Sequence, residues 1–167
     1  RPDAEAEREF DAVMRAIGAA RSVRSEHDVH PSAEVPLHLR AELALAELLR
    51  REERLISFLV KSQGAPQIDP PGSARPRGFV LSVAGDVEVL VGLLGLVDPA
   101  HEQDRIERGL KKLDKDIASL DKRLANENFV AKAPPEVVAE ARAELEALRR
   151  QRARLEEAKS LVDELRS

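Results

Sequence analysis

The sequence predicts a mainly helical α+β protein: a small mixed α/β unit followed by a long antiparallel two-helix coiled-coil hairpin. Three observations carry this. Apolar residues recur at helical spacing over most of the 167 residues. Two beta-branched runs, Phe79–Val83 and Val87–Val91, flank Ala84-Gly85-Asp86, a hairpin signal. From Asp98 onward, Ile and Leu follow at alternating steps of four and three, a heptad seam.

The elements follow in order. Over residues 3–26, Phe10, Val13, Met14 and Ile17 share one helical face, and Gly18 weakens the pattern locally. The helix fades at His27–Pro31. Val35–Leu39 alternates as a short strand, and Pro36 points to an edge position. Residues 41–60 read as one helix or two in succession, with Leu45, Leu48, Leu49, Leu55, Ile56 and Leu59 inside. Residues 64–78, with three Gly and four Pro, form a loop with a short strand near Gln67-Ile68. Three pieces result: 1–33, 34–97 as the small α/β unit, and 98–167 as the arm.

In the arm, Asp98-Pro99 opens the first helix, with Asp a good N-cap and Pro suited to the first helical position. Ile106, Leu110, Leu113, Ile117, Leu120 and Leu124 form its seam. Pro134-Pro135 opens the second helix, where Ala141, Leu148, Leu155 and Val162 stand seven apart with Leu145 beside them. Antiparallel pairing sets Leu120 near Ala141, Leu113 near Leu148 and Ile106 near Leu155. Arg152 and Lys159 occupy positions where apolar residues are expected. Arg152 is expected to lay its stem on the seam and pair its head with Glu107 or Asp114.

Composition narrows the function. The net charge of −4 gives no bulk attraction to nucleic acid or membrane, so such contact needs a local patch. No cysteine is present, which removes disulfides and thiolate metal sites. No run of about 18 apolar residues marks a membrane span. The opening Arg1-Pro2, without Met, reads as part of a longer protein. His27 and His30 resemble a metal pair but have only Asp28 beside them, so no metal site is expected. Gly92 and Gly95 lack the Lys-Ser/Thr of a phosphate loop, and no nucleophile has a catalytic setting.

The informative charges lie on the first arm helix. At 100° per residue, Arg105, Arg108, Lys111, Lys112, Lys115, Lys122 and Arg123 fall in one outward sector, shared only by Asp104. Glu107, Asp114 and Asp121 form a separate acidic flank. Such a stripe is either a solvated face or a track for a phosphate backbone. At the tip, Lys132 accompanies Phe129, which either folds back to close the turn or offers an apolar surface to a base or partner.

The stretch Leu124-Ala125-Asn126-Glu127-Asn128-Phe129-Val130-Ala131-Lys132-Ala133-Pro134, then Glu136-Val137-Val138, closely resembles the C-terminal arm of bacterial valyl-tRNA synthetases. Gly85–Val89 through Gly95–Asp98 resembles the strand feeding that arm, and Ile17–Glu26 followed by Pro31 is similar to the close of the family's anticodon-binding domain. The resemblance implies a tRNA-binding appendage that docks the tRNA elbow, where the D and T loops meet. It implies a cytoplasmic, monomeric parent, a class I ligase that joins valine to its tRNA with ATP. The family's HIGH and KMSKS signatures are absent, so no catalytic site and no cofactor are expected in these residues, nor any DNA or membrane partner. Arg21 and Arg24 match the family's arginine-bearing helix and either face the anticodon stem or form surface and inter-helix pairs. The competing function is a structural or protein-interaction hairpin without RNA contact.

Overall fold

A computed structural model describes residues 3–166; Arg1-Pro2 and Ser167, the last residue of the expected arm, lie outside the described residues. The described chain forms two compact units, residues 3–98 and Pro99–Arg166.

The first unit opens with α1 (Ala4–Glu26), whose N-cap Asp3 accepts from the Glu5 N–H at 3.0 Å. Its buried residues are Val13, Ala16, Ile17, Ala20 and Val23, a stripe at helical spacing that faces β3 (Phe79–Ala84) and β4 (Val87–Gly92). The expected face is therefore rotated. Phe10 is 59% exposed and Met14 lies largely outside, because each is about 80° or more from the centre of that stripe. Ala16 and Ala20, small enough to let helix and sheet approach, take the contact instead. Gly18 does not interrupt the helix.

The sheet has the order β2-β1-β4-β3, with β1 (Leu37–Arg40) parallel to β2 (Gln67–Asp69) and the other pairs antiparallel. The expectation of an edge strand near Pro36 is corrected here: β1 is interior. Pro36 precedes the strand, so its missing N–H removes no ladder bond, and its carbonyl accepts from the Gly92 N–H at 2.9 Å. Ala84 pairs with Val87, leaving Gly85-Asp86 as a two-residue turn with Gly85 at φ +60°. Positive φ at the first central residue is what this class of hairpin turn demands of glycine.

Two helices cover residues 43–60: α2 (Leu43–Arg51) and α3 (Glu53–Val60). Of the expected inner residues, Leu48, Leu49 and Ile56 are buried while Leu45, Leu55 and Leu59 are half-buried. The core gathers Leu37, Leu39, Val87, Val89, Leu90 and Val91 from the two central strands. Arg40 is buried among them and donates to the Ala74 carbonyl, tying the Pro-rich loop to the sheet.

The second unit comprises α4 (Pro99–Ala125), α5 (Glu127–Lys132), α6 (Pro135–Glu157) and α7 (Lys159–Arg166). The 27 residues of α4 extend about 40 Å. Helices α4 and α6 lie side by side in opposite directions. At one end Leu120 packs with Ala141 and Leu145; at the other Ile106 and Leu110 pack with Leu155, Ala158 and Val162. Gly109 allows this approach: a Cβ there would stand 2.6 Å from Cδ2 of Leu155.

Two features depart from the sequence reading. The polar tip forms α5 because Asn126 caps it, accepting from the N–H groups of Asn128 and Phe129. Pro134-Pro135 then prevents its continuation into α6. The second long helix is also divided at Ala158, where the Ser160 hydroxyl donates to the Glu157 carbonyl at 2.9 Å. The break turns Lys159 out to pair with Glu156 and brings Leu161 and Val162 inside.

Candidate nucleic-acid interface

The basic residues of α4 separate into two groups. Near its start, Arg105 donates from Nε and Nη2 to the fully buried Glu102 carboxylate at 3.2 and 2.9 Å. Arg108 pairs with Asp104 at 3.4 Å. These two charges are largely compensated by their own helix. Farther along, Lys111, Lys112, Lys115 and Lys122 are exposed and have no ion pair among the described residues. With Arg123 they span about 18 Å of helix. A row of mobile ammonium groups on a rigid helix fits an irregular line of phosphates better than a closed pocket would.

The acidic flank opposes this stripe and is held by the facing helix. Asp114 accepts from Arg152 Nε, and that hydrogen bond holds its carboxyl below the usual carboxylate range. The expected Arg152 pairing thus falls on Asp114 rather than Glu107. Asp121 accepts from Arg149 at 3.0 Å. This second contact was missed in the sequence, and the Arg152–Asp114 register does not imply it: seven residues onward on α4 should meet seven residues back on α6, whereas Arg149 lies only three before Arg152. Glu107 instead accepts from the Gln103 amide at 3.1 Å.

At the tip, Phe129 is half-buried and the Arg123 guanidinium lies 5.9 Å from its ring centroid, a cation–π distance. Lys132, at the end of α5, is exposed. Arg21 and Arg24 belong to the first unit. Arg24 is occupied locally: its guanidinium donates to the carbonyls of Ala33 at 2.8 Å and His30 at 3.0 Å, bracing the chain after α1. Arg21 is exposed, beside Phe58, which is 81% exposed, and Lys61 in an open groove.

Among the described residues no group of three His, Cys, Asp or Glu is placed to hold a metal ion. His30 Nδ1 accepts from the Ser32 backbone N–H at 3.1 Å. No described helix is long and apolar enough to cross a membrane.

Comparison with known proteins meets this geometry. Residues 98–162 match the family described as the valyl tRNA synthetase tRNA binding arm. A valine–tRNA ligase of Geobacter sulfurreducens is 37% identical over 148 residues, covering 86% of this chain and 16% of that protein. That of Thermotoga maritima is 32% identical, covering 92% and 17%, and that of Cereibacter sphaeroides 34% identical, covering 98% and 16%. The chain therefore spans about one sixth of the length of the curated relatives it matches. With that coverage, and with the arm match beginning where α4 begins, the chain belongs to the valine–tRNA ligase family, as a relative of its C-terminal region.

Proposed function

We propose that this chain is the tRNA-binding C-terminal part of a valine–tRNA ligase. Its second unit acts as a two-helix coiled-coil arm on the elbow of a valine-specific tRNA. The pieces expected from sequence take these roles: residues 1–33 end the anticodon-binding domain, 34–97 link it, and 98–167 dock RNA. Valine activation with ATP and transfer to tRNA belong to the parts of a cytoplasmic, monomeric parent outside these residues. One observation carries the reading: the unpaired lysines at 111, 112, 115 and 122 lie along one exposed run of α4, within the region that matches a tRNA binding arm.

In this role the arm grips by charge and shape. Lysine contacts to phosphate fix register without reading bases, and structured RNA is met mainly through shape and backbone. Phe129 and Lys132 extend the contact to the tip, and Arg21 supplies a second, separate contact; Arg24 braces its loop instead.

The test is filter binding of the full-length ligase to tRNA across a salt series. Lys112→Glu with Lys115→Glu should weaken binding at least tenfold and reduce the salt slope by about 2. Unchanged binding would mean the stripe is only a solvated face on a structural or protein-interaction hairpin. Valylation measured on the same variants, and on a chain lacking residues 98–167, separates docking from chemistry.

A further inference from the structure

We propose that Arg152, with Arg149 beside it, is a fixed counter-charge that keeps the acidic flank of α4 from competing with RNA for the α4 lysines. This rests on the RNA-binding reading above. Lys111 stands three residues before Asp114, the spacing at which neighbours on a helix form an ion pair. The carboxylate nevertheless bonds to Arg152 across the helix pair, leaving Lys111 free.

The physical reason is where the two cations start. The Arg152 side chain is 39% exposed, and Glu156 lies 3.8 Å from its Nη1 while Nε bonds across the helix pair. Pairing costs its rigid, already ion-paired fork less side-chain entropy than it would cost the flexible, exposed Lys111. Arg149, itself exposed, pairs across the helices with Asp121 at 3.0 Å. Without these arginines, a bare carboxylate at 114 would have two effects. It would draw Lys111 into an intrahelical pair, and it would repel phosphates within a Debye length of about 8 Å. In this scheme neither arginine touches RNA; both are positioning residues.

A charge cycle in the full-length ligase, read by tRNA filter binding against salt, tests this. Circular dichroism melts confirm that each variant is folded. Arg152→Met should weaken binding about three- to tenfold and lower the salt slope by about 1, the loss of one phosphate contact. Adding Asp114→Asn should restore both affinity and slope, and Asp114→Asn alone should bind at least as tightly as the parent. The proposal is overturned if Arg152→Met binds normally, or if the double variant stays as weak as the single one, since Arg152 would then contact RNA or merely hold the helices together. The lysine reversals of the previous section separate the two levels. If they leave binding intact, the RNA reading itself fails; if they weaken it while the cycle shows no restoration, only the counter-charge role fails.

Discussion

The two units bury their side chains in different ways. In the first, β1 and β4 lie inside a sheet covered by α1, and Leu39, Val89, Leu90 and Val91 have no exposed surface. In the second, the α4–α6 contact is a line of residues, and Leu110, Leu120 and Leu145 each keep about 7% of their surface exposed. A layered core surrounds a side chain, whereas a pair of helices can only flank it. The second unit carries ion pairs along its edges, notably Arg152–Asp114 and Arg149–Asp121. Exposed pairs of this kind contribute little to stability; their proposed value lies in sorting charge. What the second unit gives up in core it gains in accessible helix surface, which suits contact with a long polyanion.

The largest expected difference comes from deleting a leucine in each unit. Leu39→Ala should destabilise the first unit by about 4 kcal/mol, and Leu120→Ala the second by about 2 kcal/mol, since a flanked site collapses more easily than a surrounded one. Hydrogen exchange of amides in β4 and in α6 would resolve the two losses separately. Equal losses would show that the helix contact is packed as tightly as the sheet core.

A smaller contrast comes from the two mid-helix glycines. A Cβ at Gly18 meets nothing within 4 Å, so Gly18→Ala should stabilise by about 0.5–1 kcal/mol through helix propensity. At Gly109 the same change pushes on Leu155, and the gain should be cancelled or reversed. Thermal melts of the two variants decide it, and a clear gain at Gly109 would mean that Leu155 moves aside freely.

The smallest contrast is in pH. Burial depresses the His38 imidazole below its ordinary value, with Asp69 opposing and Arg40 assisting, and its ring packs against Phe79 at 4.6 Å. A depressed folded value means the unfolded chain binds more protons. The first unit's contribution from this group is thus complete above about pH 6.5 and is lost as pH falls below it. Asp114 is also depressed, by its bond to Arg152, so that contact's contribution is complete above about pH 4 and is lost as the pH falls below that through the lowered value. Acid titration followed by exchange should therefore loosen β1 before the α4–α6 pair. His38→Gln should flatten the first step, and an unchanged profile would assign it to another group.

Much of this was legible beforehand, for local reasons. Heptad spacing located the Leu120–Ala141 and Ile106–Leu155 neighbours, and proline punctuation located the starts of α4 and α6. Beta-branched runs and Gly85 located the hairpin. The failures were non-local. Pro36 suggested an edge because a strand's neighbours cannot be read from its own residues, and Phe10 and Met14 looked internal because apolar character alone does not say which flank meets the sheet. Within the candidate interface, the residues of the basic stripe were readable from the helical period. Which of them were already engaged was only partly readable: Glu102–Arg105 and Asp104–Arg108 stand three and four apart on one helix, but Lys111 and Asp114 share that spacing and do not pair.

By itself, then, the sequence determined the helices, the hairpin, the glycine turn and the sorting of charge around α4, because each follows from periodicity or from one residue's backbone preference. Only the tertiary structure decided the strand order, the face of α1 that is buried and which carboxylates the α6 arginines meet. Those outcomes depend on distances between residues far apart in the chain: the seam register brought Arg152 within reach of Glu107 or Asp114, and the fold decided that Asp114, 38 positions away, takes it.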